Sequence, residues 1–303
     1  MHSIHKSVLL HEIVKDFKEA RMREGENLWY IDGTLGGAGH ALAIAEAFDS
    51  KVNILGLDQD ETAIERAKEL LTGKCDRLVL VNENFRNLDK VMSQSGIETA
   101  DMILLDLGLS SDELENSGRG FTFQKDEPLH MTYGNPDKQP FTALDIVNGW
   151  KEEDIANVIF GYGEERYARR VARRIVEYRT KKPIETSMEL AEIVKGSMPR
   201  MFRKPKIHPA TKTFQALRIA VNDELNALRE GLAKGYSRLG KEGKIAVISF
   251  HSLEDRIVKE FFRSKESEDG AKITKKPIRA GAQEVAENPR SRSAKLRILQ
   301  KKQ

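Results

Sequence analysis

Leu28–Ala41, LWYIDGTLGGAGHA, is the stretch that decides the fold. Leu28–Asp32 is a short apolar run that reads as a buried strand, and glycines follow at 33, 36, 37 and 39. A helix then opens and runs through Ala41–Phe48. Glycine accepts backbone angles closed to other residues, so such a turn bends sharply and lets a ligand approach the main chain. In an open α/β sheet that turn sits at the carboxyl end of the first strand, where ligands bind. Working outward, Val52–Asp58 reads as a second buried strand, and Asp60 is placed to cap a helix carrying Ile64, Ala67, Leu70 and Leu71 at helical spacing. Leu78–Val81 and Met102–Asp106 supply two more strands. Strands alternating with helices imply right-handed crossovers and a mainly parallel sheet.

The pattern changes after Asp112. Residues 113–140 are polar and rich in Gly and Pro, and 141–200 read as wholly helical, with Thr186 and Glu189 spaced as a capping box. In the clearest helix, 164–179, Ala168, Val171, Ala172 and Ile175 share one face, and Arg166, Arg169, Arg170, Arg173 and Arg174 centre on the other. The α/β pattern resumes with one long amphipathic helix over Lys212–Leu239, a strand at Ile245–Phe250, a helix through Asp255–Phe262 and short strands near Ile273–Ile278 and Lys295–Leu299. The expected organisation is one α/β core formed by 1–112 and 208–303, interrupted by an all-helical insertion at 113–207.

Composition narrows the class. With 32% charged residues and no long apolar run, the chain reads as a soluble cytoplasmic protein without a secretory signal or a membrane span. One cysteine, Cys75, excludes an internal disulfide framework and a multi-cysteine zinc site, and the histidines show no metal-like spacing, so no metal is expected. The net charge of +3 conceals an uneven distribution. Residues 272–303 carry ten Lys/Arg against Glu284 and Glu287, and 166–182 carry eight against Glu177. Two basic blocks on a near-neutral body suit a polyanionic partner, or equally a solvated tail and an exposed helix face.

A dinucleotide fingerprint needs a third glycine for close helix–strand packing. Here that position holds Leu42, which weakens the pyrophosphate reading. Asp58, ending the second strand, is placed to accept hydrogen bonds from two ribose hydroxyls, a feature shared by nicotinamide and S-adenosylmethionine sites. Asp106 ends the fourth strand at the same edge, beside Gly108, Ser110 and Ser111, within reach of a cofactor amino group or an incoming substrate. His40 follows the glycines at the helix start, and His251 stands in SFHSLED where Ser252 and Glu254 suit ordinary helix capping.

Taken together, HKSVLLHEIV, YIDGTLGGAGH, GLDQDETAI, ENFRNL, ILLDLGLSS, RGFTF, YGEERYARRVARRIV, HPATKTFQALRIAVNDEL, GKIAVISFHSLEDRIVK and NPRSRSAKLRIL resemble the RsmH/MraW family of bacterial 16S rRNA cytosine-N4 methyltransferases, from His5 to Leu299. The resemblance implies a Rossmann-like class I methyltransferase with a helical insertion, whose arginine face, with the basic C-terminus, is expected to hold the RNA backbone. It implies S-adenosylmethionine contacts at Ala38, Gly39, His40, Asp58, Phe85 and Asp106; for the methyl-transfer step itself, Asp106 or a nearby main-chain carbonyl is the candidate catalytic acceptor of an N4 hydrogen. It implies, as partner, 16S rRNA or the small ribosomal subunit, methylated at a cytidine N4 in the decoding region. Two positions depart from the family pattern: Glu113 stands where the family usually has Gln, and PLHMTY (128–133, with His130) stands for its frequent PLDMRM. The rival classes are a ribosome-assembly RNA-binding protein without turnover and a nicotinamide-dependent oxidoreductase.

Overall fold

The computed structural model describes residues 7–19, 28–110, 113–114, 117–199 and 208–302. Seven strands form one sheet: β1 (Leu28–Asp32), β2 (Val52–Asp58), β3 (Arg77–Asn82), β4 (Ala100–Asp106), β5 (Leu239–Ser249), β6 (Gly270–Lys272) and β7 (Lys295–Lys301). Their order is β3-β2-β1-β4-β5-β7-β6. The first five strands in that order pair in parallel, whereas β7 runs antiparallel to both β5 and β6. The chain works outward from β1 to β3 and then returns to β4 on the other side of β1. The crevice at the β1/β4 carboxyl ends is therefore the topological switch point at which open α/β sheets take their ligands.

The helices, in chain order, are α1 (Leu10–Lys18), α2 (Gly39–Ala47), α3 (Glu61–Leu71), α4 (Leu88–Gln94), α5 (Ala143–Gly149), α6 (Glu152–Gly163), α7 (Ala168–Arg179), α8 (Ser187–Ser197), α9 (Thr211–Asn222), α10 (Glu224–Arg238), α11 (Ser252–Glu266) and α12 (Ala282–Glu287). On one face of the sheet Tyr30, Ile54, Leu104, Ile248 and Ile298 meet Ile13 and Phe17 of α1 and Ala41 and Ile44 of α2 in a single apolar cluster. Burial of each such large side chain stabilises the fold by roughly 2 kcal/mol. Lys244 of β5 adds a polar tie, its Nζ lying 3.0 Å from Oδ2 of Asp16 and 2.8 Å from that residue's carbonyl oxygen.

Two compact units emerge, Met1–Ser110 with Leu225–Gln303 and Ser111–Glu224. The expected boundaries at 112 and 207 lie outside the described residues. Helix α9, expected in the core, falls in the helical unit because it buries Phe214, Ala216 and Leu217. It also crosses α6 closely, so that a β-carbon on Gly163 would lie 2.6 Å from the Lys212 carbonyl oxygen.

Three other expectations need correcting. The single helix over Lys212–Leu239 is two, broken where Asp223 turns left-handed at φ +48°. Asp tolerates that conformation better than most residues. The amide of its neighbour Asn222 accepts from Tyr133 N at 2.9 Å and donates to the Met131 carbonyl at 2.7 Å. Thr186 accepts from Glu189 N at 3.4 Å, but the Glu189 carboxylate turns to Glu185 N and Lys182, so no reciprocal box closes. The strand expected over Ile273–Ile278 lies earlier, at β6, and Ile278 makes only an isolated bridge to Leu296. Within α7 the apolar face is buried as read, and Arg169, Arg170, Arg173 and Arg174 are exposed.

Candidate active site

The glycine turn is stitched to every strand it serves. Gly33 N donates to the Leu104 carbonyl at 2.9 Å and Leu35 N to the Leu57 carbonyl at 3.0 Å. Thr34 Oγ1 accepts from Asp106 N at 2.6 Å. Gly36, at φ +48°, directs its N–H onto Asp58 Oδ2 at 2.7 Å. Ala38 is held left-handed at φ +57° as the cap of α2. That conformation costs a β-carbon residue about 1 kcal/mol, and it is held by full burial and by a 2.7 Å bond from Ala38 N to the Leu35 carbonyl.

The six residues named from the sequence gather here. Ala38, Gly39 and His40 form the end of the turn and the first residues of α2. Asp58 reaches the turn through Gly36, and its Oδ1 accepts from Asp60 N at 2.8 Å. Asp60 itself caps α3 by accepting from Thr62 N at 3.0 Å, the division of labour read from the sequence. Phe85 lies directly against the turn: a β-carbon on Gly33 would stand 3.1 Å from Phe85 Cβ, and one on Gly231 would stand 2.5 Å from its ring. Asp106 is tied in through Thr34, and its Oδ2 lies 3.7 Å from His40 Nδ1. His251 serves as the cap of α11, accepting from Glu254 N at 3.4 Å while Glu254 accepts from His251 N at 3.2 Å.

Asp32 is the residue that the sequence reading missed. It is 1% exposed, accepts from the Tyr30 hydroxyl at 2.9 Å and from Thr34 N at 3.2 Å, and stands two residues below the level of Asp58 and Asp106. Burial pushes its carboxyl up to about 6, an effect opposed by the Tyr30 and Thr34 hydrogen bonds and reinforced by Asp58. Asp106 is driven well above the usual carboxylate range by burial, then by the charges of Asp32 and Glu254. Its Oδ1 is buried without a hydrogen-bond partner. A carboxylate oxygen left in that state is costly unless a ligand supplies a donor or a positive charge. The edge is thus a bent, ligand-permissive main chain ringed by acids, chemistry that suits a nucleoside carrying a cation.

The departures from the family pattern fall in the helical unit. Thr132 is fully buried, with Oγ1 donating to the Gly134 carbonyl at 3.0 Å. The Tyr133 hydroxyl donates to Glu224 Oε1 at 3.1 Å, and Arg218 grips the same carboxylate through two bonds of 2.8 and 2.9 Å. PLHMTY is thus held by partners within its own unit. His130 is half-buried, its carbonyl accepting from Ala143 N at 2.9 Å.

The model of the MraW methylase family matches residues 2–302. The chain belongs to that family. A protein of Sulfurihydrogenibium sp. (strain YO3AOP1) named ribosomal RNA small subunit methyltransferase H is 47% identical over 295 residues, covering 97% of this chain and 98% of its own. Proteins of the same name from Geobacter sp. (strain M21) and Brevibacillus brevis are 45% and 41% identical, covering 90% and 98% of this chain and 92% and 98% of their own. This family member therefore has the Rossmann-like methyltransferase core expected of it. Among the described residues no helix is long and apolar enough to cross a membrane.

The raised Asp32 carboxyl gives the site a measurable pH signature. Because the folded-state value is raised to about 6, Asp32 keeps its proton until the pH passes that point and becomes a counter-charge only above it. Affinity for S-adenosylmethionine is expected to rise about tenfold between roughly pH 5 and pH 7, while the neutral thioether S-adenosylhomocysteine changes little. Titration calorimetry of both ligands checks this, and parallel pH curves would remove Asp32 as the counter-charge.

Proposed function

We propose that this protein transfers the methyl group of S-adenosylmethionine to the exocyclic N4 of a cytidine in the decoding region of small-subunit rRNA. The observation that carries the reading is the ring of strand-end carboxylates around the glycine turn, one of them with a buried, unpartnered oxygen, in a chain of the MraW methylase family. Ala38, Gly39 and His40 would follow the cofactor's main axis, Asp58 would take the ribose hydroxyls, and the Phe85 ring would pack beside the adenine. When bound, the cofactor supplies an electrophilic methyl group on a positively charged sulfur.

The protein's part is alignment and proton handling. Cytosine N4 is a poor nucleophile because its lone pair is delocalised into the ring. An acceptor that takes a hydrogen bond from N4 draws that lone pair out and stabilises the developing positive charge. Asp106 Oδ1, desolvated and unpartnered at the switch-point edge, is suited to that task. The target base has to leave its stack to reach such a site.

In the helical unit, Arg166, Arg169, Arg170, Arg173 and Arg174 are all exposed, which supports an RNA-backbone contact by this face. The expected division into an insertion that holds RNA and a core that performs the chemistry belongs to the same proposal. The C-terminal basic block is only partly available. Lys295 and Arg297 are both bound to Asp255, at 2.8 and 2.7 Å, whereas Lys275, Lys276, Arg279 and Arg292 are exposed.

Incubation with methyl-labelled S-adenosylmethionine and immature small subunits, followed by nucleoside digestion, is expected to place the label in N4-methylcytidine. Binding of the RNA without label transfer would leave the assembly-protein reading instead. Binding of a nicotinamide cofactor in preference to S-adenosylmethionine would leave the oxidoreductase.

A further inference from the structure

His40, the second residue of α2, has its ring buried, 6% exposed, with an oxygen near each nitrogen. Nε2 lies 3.0 Å from the Val8 carbonyl oxygen and Nδ1 lies 3.7 Å from Asp106 Oδ2. A carbonyl only accepts, so Nε2 carries the hydrogen of the first contact. Nδ1 then faces Asp106 with either a lone pair or a second hydrogen. A lone pair set against an ionised carboxylate would bring two electron-rich groups together in a desolvated place. At 3.7 Å the two groups stand at ion-pair rather than hydrogen-bond distance, and a proton on either the carboxyl or the ring relieves that repulsion.

The surroundings decide which. Asp32 from β1 and Glu254 from α11 both bear on Asp106, and Tyr30 stands behind Asp32. Burial and those two acids favour a protonated Asp106 when no cation is near. A positive charge arriving opposite Asp106 reverses the preference and moves the proton onto the ring.

We infer that His40 is a positioning residue for methyl transfer: by taking the shared proton on Nδ1 it leaves Asp106 ionised, with buried Oδ1 as acceptor for the proton lost by the attacking amine. The inference rests on the methyl-transfer reading above and assigns a role within it. As N4 bonds to the methyl carbon, the carbon–sulfur bond breaks and sulfur keeps that electron pair. The amine then carries one proton too many and passes it to Oδ1. Sulfonium, imidazolium and carboxylate before the step sum to the same charge as thioether, imidazolium and carboxylic acid after it, so no net charge is created in the buried site.

The test compares wild type with His40→Gln, which can still donate to a main-chain carbonyl but cannot share a titrating proton. The variant is expected to lose about a hundredfold in kcat, with KM for small subunits within threefold of wild type. Its rate should lose the wild-type dependence on pH, and adding Asp106→Asn should bring the loss only to the thousandfold expected of Asp106→Asn alone, short of the product of the two. A variant with wild-type kcat and pH profile overturns the inference while wild-type label transfer upholds the function. Absence of transfer by the wild type removes both.

Should His40→Gln fail to fold, nitrogen NMR of the wild type at neutral pH decides. With S-adenosylhomocysteine the His40 ring should carry hydrogen on Nε2 alone, and with S-adenosylmethionine on both nitrogens. A ring with bare Nε2, or one identical in the two complexes, overturns the assignment.

Discussion

Replacing Asp106 by asparagine is expected to lower the single-turnover rate of methyl transfer by about a thousandfold while leaving the protein at least as stable as before. The rate effect follows from removing the acceptor that a positioned acid or base provides, which commonly contributes 10²–10⁴-fold. The stability effect follows from the acid's position. Asp106 is buried, its Oδ1 has no partner, and Asp32 and Glu254 raise its carboxyl further above the ordinary range. An amide of the same shape removes that burden. The main-chain bond from Asp106 N to Thr34 Oγ1 is independent of the side chain and is kept. Thermal unfolding together with rapid-quench label transfer checks both halves. Transfer within threefold of wild type would take the acceptor role away from Asp106.

Asp58→Ala is expected to act on affinity instead. Its carboxylate orders the turn through Gly36 N and Asp60 N, and in the proposed complex it also takes the ribose hydroxyls. Hydrogen bonds to a charged group contribute about 1.5–3 kcal/mol each, so Kd for S-adenosylhomocysteine should rise about a hundredfold, the equivalent of roughly 2.7 kcal/mol. The rate at saturating cofactor should stay within a fewfold, because Asp58 lies across β1 from Asp106. Calorimetry and saturation kinetics separate the two quantities. An unchanged Kd, or a loss confined to the saturated rate, would show that Asp58 does not hold the nucleoside.

Much of the core was legible because its signals are local. Each parallel strand contains a short apolar run, the strand-end acids of β1, β2 and β4 follow their runs directly, and Asp60 announces its helix by proximity to Thr62. What escaped depends on partners distant in sequence. Asp32 reads as the last residue of a strand, and only burial beside Tyr30 and nearness to Asp58 make it an electrostatic element of the site. The pairing of His40 with Val8 joins residues 32 positions apart. The break at Asp223 leaves the helical periodicity on either side intact, and the Asn222 amide is committed to a loop some ninety residues earlier. Likewise, Glu189 matches a capping box by spacing, yet Lys182 and Glu185 N compete for the same carboxylate.

The pairing of Lys295 and Arg297 with Asp255 alters the arithmetic of ion release at any RNA surface. A cation frees condensed counterions from a phosphate only if it arrives uncommitted. Lys301 is similarly occupied, its Nζ donating to the Leu239 carbonyl at 2.9 Å. The ionic-strength dependence of binding therefore counts Arg169 and Arg170 of α7 ahead of Arg173 and Arg174, which pair with Glu152 and Glu177, together with the exposed part of the C-terminal block, and the ten basic residues written in the last thirty-two positions overstate that reach. Neutralising Lys295 would be felt first as a loosened tie between β7 and α11, and only indirectly by a nucleic acid.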